Sequence, residues 1–340
     1  VSSPDAAAVP HRISVVVPVY QGELTLPDLL AEIDALAKGF ETPGGVSARI
    51  SEVLLVHDDG PDASDVVIRT LAEQYEYVRP VWLSRNYGQH AATLAGMASS
   101  GGDWIVTLDE DGQYDPADIG TMLDEALAAG ATVVYARPVN LPPHGAFRNL
   151  ASRASKLVLD VLVGGTQARL YHSFRLVLGE VGRSVAAYAG SGVYLDVALG
   201  WVAGAVTTAP VTLRDEGRRR SGYDFRRLLS HFWRMVLTSG TRGLRMVSVL
   251  GVALAAVGML LAVAFAVNRL AGGALPQGWT SLIVVMLVTS GLILFCLGVV
   301  AEYIGVAVNM AMGKPLYLIV SDPADGPLGR APARRRGARQ

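Results

Sequence analysis

Two uncharged apolar stretches, Met246 to Val267 and Ser281 to Ala301, constrain this chain more than anything else in it. A hydrocarbon core about 30 Å thick needs roughly 20 helical residues to cross it, and either stretch is long enough. Leu270 to Gly278, with Gly272, Gly273 and Pro276, makes a short connection between them, and Trp279 is placed for an interfacial aromatic belt. Arg226, Arg227, Arg234, Arg242 and Arg245 precede the first stretch, Lys314 and five C-terminal arginines follow the second, and Arg269 is the only base between. The positive-inside rule then puts both ends in the cytoplasm and the short loop outside. The bulk numbers agree: 51% of the 340 residues are hydrophobic, 17% are charged, and the mean hydropathy is +0.35.

The region before the first span has a different pattern. Tyr223 to Leu237 interleaves Tyr223, Leu228, Leu229, Phe232, Trp233, Val236 and Leu237 with Arg226, Arg227 and Arg234. A helix with an aromatic face and a basic face suits an anionic membrane surface, the ordinary alternative being an amphipathic helix packed on a domain. Val1 to Pro10 has neither a basic nor an apolar leader pattern, so the N-terminal domain is expected to stay in the cytoplasm. The single cysteine, Cys296, excludes an intramolecular disulfide. The Ala-, Gly- and Arg-rich composition suggests a bacterial source.

From His11 to about Pro138, β-type runs alternate with helical patterns. The runs are Ile13 to Val17, Val53 to Val56, Val78 to Leu83, Trp104 to Leu108 and Ala131 to Tyr135. Helical patterns cover Thr25 to Leu36, Ser64 to Tyr75, His90 to Ser99 and Pro116 to Ala128. This alternation predicts an α/β domain with a largely parallel sheet and crossover helices, of the Rossmann-like nucleotide-binding kind. Leu141 to Leu213 is less regular. The expected organisation is a disordered N-terminus (1–10), a cytoplasmic catalytic domain (11–215), and a basic juxtamembrane segment (216–245). Two transmembrane helices (246–303) and a cytoplasmic basic tail (304–340) complete it.

Four polar turns follow the first four runs: Val17-Pro18-Val19-Tyr20, Asp58-Asp59-Gly60, Ser84-Arg85-Asn86-Tyr87-Gly88-Gln89-His90, and Asp109-Glu110-Asp111-Gly112-Gln113. Open α/β sheets bind ligands at the carboxyl ends of their strands. Carboxylates at i and i+2, here Asp109 and Asp111, can jointly hold a hard divalent cation, which in turn neutralises a diphosphate. A lone D-x-D is often only a solvated turn, so the three neighbouring turns carry much of the inference.

These residues in this order resemble the polyprenyl-phosphate glycosyltransferases of glycosyltransferase family 2, which include dolichyl-phosphate mannose synthases. The undecaprenyl-phosphate aminoarabinose transferase subgroup shows the nearest pattern. The matching stretches are VVVPVY, HDDG, LSRNYGQHAATLAG, GDWIVTLDEDGQYDP, RSGY, AEYIG and KPLY, spanning His11 to Tyr317. The resemblance implies a GT-A nucleotide-sugar-binding domain acting as an inverting transferase. Such an enzyme moves a sugar from a UDP- or GDP-linked donor to the phosphate of a polyprenyl phosphate at the cytoplasmic face of the bacterial inner membrane. It also implies a Mg²⁺ or Mn²⁺ cofactor, a homo-oligomer and no nucleic-acid partner.

Carried over by position, Asp109, Asp111 and Gln113 are the metal and diphosphate residues, with Arg214 and Arg220 beside the leaving diphosphate. Pro18, Tyr20, Glu23, Asp58, Asp59, Arg85, Asn86, Gln89 and His90 fall on the nucleotide-sugar side. Arg137, Arg148, Ser152 and Ser221 fall on the lipid-phosphate side, and Arg148 and Ser152 would share a helical face.

The chain departs from the family's pattern in four places, one being the R-x-x-G-x-S-x-Y loop, which fits Arg214 to Tyr223 only with two extra residues within Arg218 to Arg220. The acidic residue expected soon after Tyr20 is displaced to Glu23, Pro61 follows HDDG directly, and Ser173 stands where some relatives carry a proposed base aspartate. The alternatives are a processive polysaccharide synthase, which would need more spans and a Q-x-x-R-W motif absent here, or a non-catalytic membrane scaffold that kept the fold.

Overall fold

The apolar run of the first strand, β1 (His11–Val19), is buried from Ile13 to Val19, as expected of a strand covered on both faces. In this computed structural model the described residues are 9–140, 171–190, 194–214, 278–313 and 315–327, with short stretches between 251 and 271. They fall into two compact units, one holding the described parts of 9–214 and 315–327, the other those of 251–313. The juxtamembrane segment, Arg148, Ser152, Arg220, Ser221 and the C-terminal arginines lie outside the described residues.

In the first unit β1 pairs in parallel with β3 (Ser47–His57) on one side and with β5 (Trp104–Thr107) on the other. Strand β3 pairs in parallel with β4 (Val78–Leu83), and the two-residue β2 (Phe40–Glu41) adds antiparallel to β3. The crossover helices are α1 (Leu26–Ala37), α2 (Ser64–Gln74), α3 (Gln89–Ser99) and α4 (Asp118–Ala129). Each lies within about two residues of the periodicity that predicts it. Helix α4 stops at Gly130, whose φ of 57° is the left-handed conformation that glycine adopts without strain.

Beyond β5 the sheet is mixed rather than largely parallel. The full order is β8 (Val206–Val211), β6 (Val133–Pro138), β7 (Arg175–Leu178), β5, β1, β3, β4 and β9 (Ile319–Val320). Strand β7 inserts antiparallel between β5 and β6, and β6 pairs in parallel with β8. Helices α5 (Gly179–Tyr188) and α6 (Leu195–Val202) follow β7. The far edge is closed by β9, antiparallel to β4, so part of the segment expected to be a tail is a strand of the sheet. Asp322 anchors it by accepting from the Arg69 Nε at 2.7 Å and Nη2 at 2.8 Å.

In the second unit, α7 (Trp279–Ala311) is a 33-residue helix, about 50 Å long at 1.5 Å per residue. Its segment Val288–Val308 has a mean hydropathy of 2.2 and is, among the described residues, the one helix long and apolar enough to cross a membrane. The helix runs on past the expected end of the span at 303. Too few residues of the first apolar stretch are described to delimit a second span.

Candidate active site

The strand order creates a switch point. From β1 the chain winds outward through β3 and β4, then returns to place β5 on the opposite side of β1. Crevices at such reversals, outside the carboxyl ends of the strands, are where open α/β sheets bind ligands. The turns after β1, β3, β4 and β5 all leave from that edge, with Val19 paired to His57 and Val16 to Thr107. Because β7 runs the other way, its beginning rather than its end reaches the same edge. That delivers Ser173, just before Arg175, beside Asp109.

Asp109 is the most enclosed carboxylate of the turn. Its Oδ1 accepts from Gln89 Nε2 at 2.6 Å and its Oδ2 from Ser173 Oγ at 2.5 Å. Burial pushes its pKa up, the neighbouring Asp111 charge pushes the same way, and Ser173 and Arg175 oppose them. Asp111 is exposed, with Oδ1 accepting from the Gln113 backbone N–H at 3.1 Å across the tight turn at Gly112, whose φ is 72°. Among the described residues there is no cluster of three or more His, Cys, Asp or Glu that could hold a metal. The donor set at the turn is instead two carboxylates and an amide. Two adjacent carboxylates, one of them desolvated, fit a hard divalent cation, because such an ion removes their mutual repulsion.

Asp58 and Asp59 play different parts. The Asp58 carboxylate is 3% exposed and accepts the backbone N–H of Tyr87 at 2.7 Å and of Gly88 at 2.8 Å. Its backbone oxygen accepts from Asn86 Nδ2 at 3.1 Å. Asp58 and Asn86 therefore brace the turn after β4. Burial raises the Asp58 pKa, and the two N–H donors counter that rise. Asp59 is exposed and sits at φ 49°, in the left-handed region that Asp and Asn tolerate better than most residues. Beside it, a Cβ on Gly60 would lie 1.7 Å from the Tyr20 backbone oxygen, so only glycine permits the β1 and β3 turns to approach this closely.

The β1 turn is held from two sides. Gly22 N–H donates to Ser64 Oγ at 2.8 Å, Glu23 N–H to Asp62 Oδ2 at 3.1 Å, and Glu23 Oε2 accepts from Ala63 N–H at 3.2 Å. Glu23 thus stitches the turn to the start of α2. From the other side, Glu110 accepts the N–H of Tyr20 and of Gln21, both at 3.0 Å. The Tyr20 side chain is half-exposed above the crevice, and Pro18 lies buried within β1.

The remaining expected residues are placed as follows. The Arg85 guanidinium stacks over the Tyr87 ring at 4.3 Å, and the His90 ring lies 4.0 Å from that of Tyr194. Arg137 is exposed near the end of β6. Arg214 Nη1 donates to both oxygens of Glu32 at 2.8 Å, Nη2 pairs with Asp115 at 2.7 Å, and its backbone N–H donates to the Gln113 oxygen at 2.9 Å. It flanks the acidic turn while its guanidinium is engaged by two carboxylates.

Sequence reasoning missed a buried network beneath Asp109. Ser173 O accepts from Thr107 Oγ1, and Thr107 Oγ1 accepts from Arg175 Nε at 3.1 Å. Arg175 is ion-paired with Asp196, which also accepts from Tyr135 Oη at 3.0 Å. Burial pushes the Asp196 carboxyl up, while Arg175 and the Tyr135 hydroxyl oppose it. Tyr114, packed 5.0 Å from Phe174, is pushed up to about 12 by burial. The one sequence clue to this region was Ser173, which stands where some relatives carry a proposed base aspartate.

Residues 14–190 match the family profile described as "Glycosyl transferase family 2". The undecaprenyl-phosphate 4-deoxy-4-formamido-L-arabinose transferase of Pseudomonas fluorescens (strain SBW25) is 31% identical over 95% of this chain and 93% of its own. Its namesake from Pseudomonas paraeruginosa is 31% identical over 90% and 89%. Among solved structures, glucosyl-3-phosphoglycerate synthase from Mycobacterium tuberculosis is similar at 18% identity and a TM-score of 0.47, covering 68% of this chain and 78% of its own.

Proposed function

The chain belongs to glycosyl transferase family 2, and from that premise we propose that it moves a sugar from a nucleotide sugar to the phosphate of a polyprenyl phosphate. The observation that carries the reading is similarity along nearly the whole chain, apolar C-terminal part included, to transferases named for undecaprenyl phosphate. The long apolar helix α7 supports a membrane anchor, and we extend this to two spans with the catalytic unit in the cytoplasm.

Tyr20 and Asp59 line the nucleoside side, where an exposed carboxylate can accept the imide N–H of uracil or guanine. Asp58, Asn86 and Glu23 hold the turns that present them. Asp111, with Asp109 and Gln113, would hold a Mg²⁺ or Mn²⁺ ion, which supplies positive charge to the donor diphosphate when bound. Gln89 and Ser173 fix the Asp109 carboxylate through a hydrogen bond to each oxygen. Arg137, with Arg148, Ser152 and Ser221, is assigned to the lipid phosphate, and Arg214 or Arg220 to the leaving diphosphate.

The reaction needs no side-chain base. A phosphate monoester has a second pKa near 6, so at pH 7 the acceptor is mostly a dianion ready to attack the anomeric carbon. Ser173 is a hydrogen-bond donor to Asp109, and a dianionic acceptor makes a carboxylate there unnecessary. A single displacement then inverts the anomeric centre and releases the nucleoside diphosphate, with positioning and electrostatics as the main contributions. The reading is tested by screening labelled UDP- and GDP-sugars against undecaprenyl and decaprenyl phosphate with purified protein. A labelled lipid product is expected from one donor. Turnover confined to water-soluble acceptors, or none with any donor, would overturn it.

A further inference from the structure

We propose that Glu110 is a positioning residue that couples the two halves of the donor site, tying nucleoside binding to occupation of the acidic turn by a divalent cation. The inference rests on the donor reading above. Glu110 lies between Asp109 and Asp111, so a shift of the turn's backbone that draws those carboxylates onto an ion carries it too. Its own carboxylate does not serve that turn. Oε2 accepts the Tyr20 N–H and Oε1 the Gln21 N–H, each at 3.0 Å, across 90 and 89 residues of sequence. These are charge-assisted bonds to two successive amides of the β1 turn, the turn that carries Tyr20.

The surroundings are built for that reach. A Cβ on Gly22 would fall 2.8 Å from Glu110 Oε2, so the carboxylate occupies space that any larger residue at 22 would take. On its other side the β1 turn is fixed to the start of α2 by the bonds from Gly22, Glu23 and Ala63. Glu110 thus links this turn directly to the acidic one. Removing Glu23 would loosen the same turn without touching the acidic one, which makes it the natural control.

The test is calorimetric titration of the full chain in detergent with UDP and with GDP, each in Mg²⁺ and in EDTA. The readout is the ratio of the two dissociation constants. The wild type is expected to bind one nucleotide more tightly in Mg²⁺. Glu110→Ala should reduce that ratio by about tenfold, within the usual range of coupling between sites. Glu110→Gln, which keeps the shape but turns an N–H₂ toward one of the two amides, should give an intermediate ratio and guards against misfolding of the alanine variant. Glu23→Ala should weaken binding in both conditions and leave the ratio unchanged. A wild-type ratio in both Glu110 variants overturns the coupling. A wild type that binds neither nucleotide overturns the donor reading itself, and the coupling with it.

Discussion

Replacing Asp58 by Asn separates the two adjacent aspartates of the β3 turn by their physical roles. The buried Asp58 carboxylate satisfies the Tyr87 and Gly88 amides at 2.7 and 2.8 Å. An asparagine can accept only one of them and turns its own N–H₂ toward the other. One hydrogen bond to a charged acceptor, worth about 1.5–3 kcal/mol, is lost, and leaving the amide unsatisfied adds about 1–3 kcal/mol. Against this, the raised pKa of Asp58 shows that its burial as an anion already costs stability, and that cost disappears in the amide. The net loss is about 1–4 kcal/mol, or roughly 2–16 °C in Tm for a unit of this size. Asp59→Asn, at an exposed left-handed position that Asn tolerates, should leave Tm within about 2 °C and weaken nucleotide binding instead. Thermal unfolding followed by circular dichroism, paired with nucleotide titration, measures both. Equal stability of Asp58→Asn and wild type, or a larger Tm loss in Asp59→Asn, would refute the division of roles.

Three further outcomes follow from the same geometry. Arg175→Met leaves Asp196 as an uncompensated buried charge and should cost about 3–5 kcal/mol in denaturant unfolding, with much of that recovered in Arg175→Met/Asp196→Leu. Gly60→Ala drives a Cβ into the Tyr20 carbonyl and should abolish nucleotide binding or folding, whereas alanine at exposed Gly45, where the Cβ meets nothing within 4 Å, should cost only the strain of its φ of 80°. His57 is buried, its Nε2 has no hydrogen-bond partner among the described residues, and burial lowers its pKa. The unfolded state therefore takes up the proton first, so His57 adds stability above about pH 6.5 that declines as pH falls toward its folded value. His57→Gln should flatten the pH dependence of Tm between pH 7 and 5, by at most about 1.4 kcal/mol per pH unit.

How much of this could be read from the sequence depends on the length and periodicity of each segment. Strands β1, β3 and β4 and helices α1 to α4 announce themselves through long apolar periods, and their alternation places four polar turns on one edge. Strand β7 does not, being four residues long in an irregular region, yet it makes the sheet mixed and brings Ser173 to Asp109. The two-residue β9 owes its existence to the edge of β4 and to Asp322 meeting Arg69, neither of which has a local signal. Side-chain roles were less legible still. Asp58 and Asp59 are chemically identical neighbours, and only burial and backbone geometry tell a brace from an exposed acceptor. Likewise Glu110 lies inside a metal-type motif but spends its carboxylate on the β1 turn.

The central claim, a cation-dependent sugar transfer to a lipid phosphate supported by the acidic turn, is tested most directly by one assay. Purified protein, wild type or Asp111→Ala, is incubated with undecaprenyl phosphate and the labelled nucleotide sugar that it accepts, in Mg²⁺ or in excess EDTA. The account predicts labelled lipid from the wild type in Mg²⁺ alone, with the variant and the chelated samples at least about a hundredfold slower, the size of effect seen when one electrostatic contact to a departing group is lost. Undiminished transfer by Asp111→Ala, or by the wild type in EDTA, would contradict it.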